Sequence, residues 1–297
     1  MKKLLACIVS LMLLGSFSAF AGGQRGRAAG AGDVVGFSVS TLNNPFFVTL
    51  VDGARAKAAE LGVQLIVLDA GDDASRQASD MEDLISRRVR VIIVNPVDSD
   101  AITPSARAAI NANIPVIAVD RLVNGVEVTT SIASDNVAGA RMATEYLLQR
   151  VGQGAEVAEL QGILGASATV DRGAGFHQVA GRSLNVVSSQ TANFNRAAGL
   201  TVTENILQGN PNIRGIFAHN DEMALGAIEA AGNRNIVIVG FDATDDALTA
   251  VRAGRMAATV AQQPDLMGAV AVETAKRIIN GESVQRSIPV NVSLVTQ

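Results

Sequence analysis

Cysteine, histidine and tryptophan are nearly missing from this chain of 297 residues, which has one Cys, two His and no Trp. The single cysteine, Cys7, lies in an N-terminal stretch that reads as a removable export segment. The remainder of the chain therefore has no disulfide, no thiolate nucleophile and no cysteine-ligated metal. His177 and His219 have no metal-ligand partners at workable spacing, so both are expected to be structural or exposed. No run of 18 or more apolar residues occurs away from the N-terminus, so no transmembrane span is predicted. No Lys/Arg run or basic aromatic stripe exists, which makes nucleic acid a poor partner. Gly152-Gln153-Gly154 precedes a strand instead of coming after one, so the dinucleotide fingerprint is absent. There is no phosphate-loop lysine motif and no evident Ser/His/Asp arrangement.

The residues that are present suit two domains with substantial cores, since 48% of residues are hydrophobic and 18% charged. Residues 1–21 carry Lys2 and Lys3, an apolar stretch from Leu4 to Leu14, and the small-x-small site Ala19-Phe20-Ala21, the pattern of a signal peptide. A retained membrane anchor is the alternative, and the short apolar stretch argues against it. Cys7 precedes completion of that stretch, which argues against lipidation. Residues 22–32, rich in Gly, Ala and Arg, read as a flexible leader. Without Lys2 and Lys3 the chain has 22 basic and 28 acidic residues, a formal charge of −6.

From Asp33 onward, apolar strands alternate with helical patterns. Strands are predicted at 34–39, 64–69, 91–94, 115–120, 156–161, 184–188, 215–218 and 236–241. Helices are predicted at 74–87, 101–112, 138–150, 197–208, 222–230 and 265–279, and one final strand at 287–295. This alternation implies parallel sheets with helices on both faces. NIPVIAVD (113–120) echoes NIVIVGFD (235–242), and VIIVNPVDSDA (91–101) echoes GIFAHNDEMA (215–224). The echo suggests two similar α/β lobes, each with an Asp and an Asn at strand ends, where ligands bind in such sheets. The alternative is that all buried parallel strands look alike.

Several residues at these ends could carry chemistry. Val34–Phe47 runs from a strand through Ser40 and Asn44 to the adjacent Phe46 and Phe47 before a helix begins. Aromatics make up only 3% of the chain, and two at such a loop need a cover; Phe194, in the polar loop TANFNR, makes a third. Flat rings stack on the C–H faces of sugars; the alternative is that one of the Phe46/Phe47 pair packs in the core. Asp120 and Arg121 come directly after a strand. A carboxylate that accepts from two hydroxyls, beside a guanidinium that donates two parallel hydrogen bonds, suits a ring with neighbouring hydroxyls. A surface ion pair is equally compatible with the dipeptide. Asp242 is a hydroxyl acceptor by the same logic, or an N-cap, a role for which Asp245 is also available. Asn220 can donate and accept, or cap a helix. Arg172 is placed at the loop-to-helix entry of the second lobe, and Gln262 comes after the strand-like run MAATVAQ.

Taken together, the blocks STLNNPFFV (40–48), VNPVDSDA (94–101), NIPVIAVDR (113–121), SIASDN (131–136), ELQGI (159–163), NDEMALGA (220–227), IVGFDA (238–243) and AATVAQQPD (257–265) resemble, in order, those of the periplasmic ribose-binding proteins of bacterial sugar importers. The resemblance covers nearly all of the chain after the leader. It implies the type I periplasmic binding protein fold: α/β, two doubly wound, Rossmann-like parallel-sheet lobes joined by a hinge of three crossings near 134–135, 262–263 and 291–292. The N-terminal lobe would comprise 33–134 and 263–291, and the C-terminal lobe 135–262 and 292–297. D-ribose in its pyranose form would lie in the cleft between the rings of Phe46, Phe47 and Phe194. Its hydroxyls would bond Asn44, Asp120, Arg121, Arg172, Asn220, Asp242 and Gln262, with Ser40 close by. The same likeness implies a monomer in the periplasm with no cofactor, metal or catalysis, and with an ABC importer permease, and a chemotaxis receptor in addition, as partners. Allose, galactose or a furanose would be the alternative ligands.

Two other classes compete. An enzyme on sugars or nucleosides could use Asp120 and Asp242 as an acid/base pair. A repressor effector domain shares the fold, but a signal peptide occupies the place of its DNA-binding unit. The chain departs from the family pattern at Ala243, where Gly is usual, and at His219, where Gln is usual. The segments after Phe176 and after Ala230 are also shorter. Ala243 is strained if its backbone needs positive φ.

Overall fold

The computed structural model describes residues 32–297. The expected signal peptide, 1–21, and all of the expected leader except Gly32 lie outside the described residues. Two six-stranded sheets organise the rest. The first contains β1 (Val34–Val39), β2 (Gln64–Asp69), β3 (Val91–Val94), β4 (Val116–Val119), β5 (Thr130–Ser134) and β11 (Ser287–Val290), ordered β11-β5-β4-β3-β1-β2. The second contains β6 (Glu156–Gln161), β7 (Asn185–Thr191), β8 (Gly215–Ala218), β9 (Val237–Asp242), β10 (Ala258–Ala261) and β12 (Ser293–Thr296), ordered β12-β10-β9-β8-β6-β7. Every pairing is parallel except β10 with β12.

Strands buried on both faces explain the near-continuous apolar runs. Along β3, Val91 and Ile93 enter one core while Ile92 and Val94 enter the core on the opposite face. The first core also takes α1 (Pro45–Leu61) and α9 (Pro264–Ile279); the other takes α2 (Ala74–Ser86) and α3 (Thr103–Asn111). In the second lobe, α4 (Asn136–Val151) and α5 (Ser167–Ser183) cover one face of the sheet. There α6 (Arg196–Gly209), α7 (Asp221–Ala231) and α8 (Asp245–Arg252) cover the other.

The segment expected as one strand over 287–295 is two. Ser287–Val290 pairs parallel with β5, the chain passes Asn291 and Val292, and Ser293–Thr296 pairs antiparallel with β10 in the other sheet. Its alternating pattern has no turn signal at the break, because each half finds a different sheet edge. The strand expected at 184–188 starts at Asn185 and extends to Thr191; Leu184 is the extended cap of α5. In each sheet the first strand, β1 or β6, sits between the next two in chain order, which creates a crevice at the C-terminal strand ends.

Helices α1 and α9 approach closely because both present glycine. A Cβ on Gly53 would lie 2.2 Å from the Asp265 carbonyl oxygen, and one on Gly268 would lie 1.9 Å from that of Leu50. Neither backbone can yield without parting the helices. Gly268→Ala is therefore expected to cost about 2 kcal/mol, read as a lower urea midpoint with unchanged slope.

Candidate functional site

The C-terminal ends of the strands in both sheets converge on one cavity, with about 230 Å³ free of protein atoms. Asn44, Phe46, Phe47, Asp120, Arg121, Arg172, Phe194, Asn220, Asp242 and Gln262 line it, together with Ala168. The first sheet's side supplies the loop after β1 and the residues after β4. The second sheet's side supplies α5, the loop after β7 and the ends of β8, β9 and β10.

Local structure fixes each side chain. Asn44 caps α1, its Oδ1 accepting from the Phe46 N–H at 3.0 Å, and Pro45 opens that helix. Phe46 and Phe47 then fall in the first helical turn, edge to face with ring centroids 5.2 Å apart. Both are nearly fully buried and belong to the first core as well as to the cavity wall, so packing and lining are not exclusive here. Phe194 has φ 58° and its ring lies against Gly162, where an added Cβ would come within 2.0 Å of it. Asn220 caps α7 through Met223 N–H at 3.0 Å while its amide nitrogen donates to the Phe194 carbonyl at 3.3 Å. Asp242 is not a cap: Thr244 occupies that position for α8, and Asp245 is its first residue. Arg172 sits one turn inside α5, deeper than the loop-to-helix entry expected for it, because α5 already starts at Ser167.

The site is charged and buried. Asp120, Arg121, Arg172 and Asp242 are each at most 6% exposed. Arg121 Nε lies 3.7 Å from Asp120 Oδ2, and Arg172 Nη1 lies 3.7 Å from Asp242 Oδ1. Burial pushes the carboxyls of Asp120 and Asp242 up, and the neighbouring guanidiniums only partly oppose it. Burial likewise pushes both arginines down. The Arg121 guanidinium carbon is 5.1 Å from the ring centroids of both Phe47 and Phe194, and that of Arg172 is 3.8 Å from the Phe241 centroid. Among the described residues, Arg121 Nε and Gln262 Oε1 are buried without a hydrogen-bond partner. Such orphaned atoms are costly unless a ligand or water meets them.

Behind the wall lies a ring of polar residues, most of which the sequence reading does not place at the site. Asn95 donates to Asp120 Oδ2 at 3.2 Å and accepts from the Ser40 hydroxyl at 2.7 Å, so Ser40 stands behind the cavity, not in it. Arg121 Nη1 donates to the Pro96 carbonyl at 2.9 Å. Arg172 Nε donates to Asn136 Oδ1 at 2.8 Å, and its Nη1 donates to the His219 carbonyl at 2.5 Å. The buried His219 ring meets Glu159 at 2.9 Å, and the half-exposed His177 meets the other Glu159 oxygen at 3.2 Å. Asp221 is fully buried, and burial pushes its carboxyl up to about 7. Asn95 ends a strand just as Asn220 does, and Asp221 is next to Asn220, so the internal echo carried the signal for both. Among the described residues, no group of three or more His, Cys, Asp and Glu is placed to hold a metal ion.

The two lobes touch at the cavity's rim. Ser99 N–H donates to the Gly165 carbonyl at 2.9 Å, Ser167 N–H to Ser99 Oγ at 3.0 Å, and Leu122 N–H to Ser167 Oγ at 2.8 Å. Interlobe hydrogen bonds thus form beside the cavity.

Residues 35–283 match the periplasmic binding protein domain model. The chain is 48% identical over 265 residues to the ribose import binding protein RbsB of Bacillus subtilis strain 168, covering 89% of this chain and 87% of the relative. It is 45% identical over 301 residues to that of Escherichia coli K12, covering 100% and 99%. A solved ABC transporter periplasmic solute binding protein from Actinobacillus succinogenes 130z, with bound D-allose, superposes with a TM-score of 0.82 at 31% identity, covering 89% of this chain and 97% of that one.

The raised carboxyl of Asp221 makes stability fall as pH rises. Its folded value of about 7 exceeds the unfolded value, so the folded state binds the extra proton and loses that advantage through the interval. Between about pH 5 and pH 7 the melting temperature of the unliganded protein is expected to decline. Asp221→Asn flattens that decline, and an equal slope in both proteins rejects the assignment.

Proposed function

The chain belongs to the periplasmic binding protein family, and we propose that it captures D-ribose in the interlobe cavity and delivers it to an ABC importer. The observation that carries this is a single cavity holding three phenylalanine rings beside seven side chains able to hydrogen-bond hydroxyls. The relatives' names as ribose import proteins support the same sugar. Residues 1–21 would direct export and be removed, leaving a monomer in the periplasm.

The rings cover the C–H faces of the pyranose while the polar side chains meet its edge. Asp120 and Asp242 accept hydroxyl protons; Arg121 and Arg172 donate; Asn44, Asn220 and Gln262 supply mixed groups. A hydrogen bond nets about 0.5–1.5 kcal/mol, or roughly 1.5–3 to a charged partner. Seven such groups allow a dissociation constant of about 1 μM or tighter, roughly −8 kcal/mol. Selectivity has the same source: a sugar lacking one hydroxyl leaves a buried charge unmet.

Neither lobe holds the full set, so sugar completes its bonds only with the lobes together. Ribose therefore favours the closed state by its differential affinity, with bending at the crossings near 134–135, 262–263 and 291–292. The importer permease, and in the same way a chemotaxis receptor, would recognise that closed shape. D-allose is the second reading, favoured by the allose-bound structural relative.

A thermal-shift panel of pentoses and hexoses is expected to show its largest shift with D-ribose, with small-angle scattering more compact in its presence. Asp242→Ala abolishes the ribose shift and leaves the unliganded protein folded. Gly162→Ala drives the Phe194 ring toward the cavity and weakens ribose binding about tenfold or more. A ribose-independent scattering profile, or conversion of ribose to a product, removes the receptor reading.

A further inference from the structure

Asp221 touches nothing in the cavity, yet it grips the turn that presents Asp242. Its Oδ2 accepts from the Thr244 N–H at 2.8 Å and from the Thr244 hydroxyl at 3.3 Å. Its Oδ1 accepts from the Thr259 hydroxyl at 2.6 Å, and Thr259 Oγ1 in turn accepts from the Ala243 N–H at 3.2 Å. The carboxylate and one hydroxyl therefore hold two successive backbone N–H groups immediately after Asp242.

That backbone needs holding. Asp242 has φ 127° and Ala243 has φ 58°, conformations that glycine adopts freely and residues with a Cβ resist. An unheld turn relaxes toward negative φ and swings the Asp242 carboxylate, which Gln262 meets at 2.7 Å and Arg172 at 3.7 Å. The approach is tight as well: a Cβ on Gly240 would lie 2.3 Å from Asp221 Oδ1. The strand leading to Asp242 is thus packed directly against the gripping group.

We propose that Asp221 is a positioning residue for sugar recognition, pinning the 242–244 backbone in its strained form so that Asp242 points into the cavity. The inference rests on the receptor reading for its ligand, but the clamp itself exists without sugar. It predicts that the need for Asp221 depends on the residue at 243.

The test is calorimetric titration of D-ribose into the wild type, Asp221→Ala, Asp221→Asn, Ala243→Gly and the Asp221→Ala/Ala243→Gly double variant. Asp221→Ala is expected to weaken binding about tenfold or more. Asp221→Asn stays within about threefold, because its amide oxygen accepts from Thr244 N–H and its NH2 donates to Thr259 Oγ1. Ala243→Gly alone binds like the wild type, and in the Asp221→Ala background it restores most of the loss. Wild-type affinity in Asp221→Ala, no recovery in the double variant, or an Asp221→Asn as weak as Asp221→Ala overturns the clamp. If Asp221→Ala does not fold, Thr259→Val takes its place; it cuts the link to Ala243 N–H and is expected to weaken binding about threefold, reversibly by Ala243→Gly. An unchanged constant in Thr259→Val overturns the proposal. Hydrogen exchange without sugar separates this failure from that of the receptor reading. The amides of Ala243 and Thr244 exchange faster in Asp221→Ala, and that of Ala243 in Thr259→Val, than in the wild type, whether or not the wild type binds ribose, and equal exchange overturns the clamp.

Discussion

Four charged side chains stripped of water at the facing ends of two sheets are the constraint on which the remaining architecture depends. Removing ions from water is repaid only by close pairing and full hydrogen bonding. Here the pairing is loose: Asp120 with Arg121, and Arg172 with Asp242, each stand 3.7 Å apart. The backing groups do the remaining work. Asn95 steadies Asp120 and the Pro96 carbonyl steadies Arg121, while Asn136 and the His219 carbonyl steady Arg172. Arg121 Nε and Gln262 Oε1 remain without a hydrogen-bond partner among the described residues, and both residues line the cavity.

Phenylalanine solves a second problem in the same place. Phe46 and Phe47 are part of the first lobe's core and its cavity wall at once, so the wall cannot move without disturbing the core. Rings held this firmly lose little freedom when a ligand arrives. Backbone strain is concentrated at the same spot: Asp120, Phe194 and Asp242 all have positive φ. Strained residues of this kind persist where the surroundings over-determine them, and they cluster at functional sites.

The alternation of β-branched runs with helical patterns makes the architecture legible, because strands buried on both faces allow little other composition. Strand-end residues such as Asp120, Asn220 and Asp242 are legible for the same reason, since an abrupt polar residue after an apolar run marks the sheet's edge. The supporting residues are less so. Asn136 is an ordinary first residue of a helix by its sequence, and only the fold brings it to Arg172, 36 positions away. The pair β11 and β12 reads as one strand because the exchange of sheets at Asn291 and Val292 is decided by which edge is free, a fact no local pattern holds. Arg172 reads as too near the helix entry because Thr169 is itself a cap-type residue, whereas the observed cap position, Ala166, makes no side-chain bond.

The interleaved chain path has a kinetic meaning. Helix α9 seals the core around β1 and α1, and β11 supplies that sheet's edge, yet both come after every strand of the second sheet except β12. The first-made half therefore cannot complete its packing until nearly the whole polypeptide has been synthesised. Contacts so distant in sequence form late and slowly. A chain built in this order leaves its first sheet unfinished at one edge through most of its synthesis.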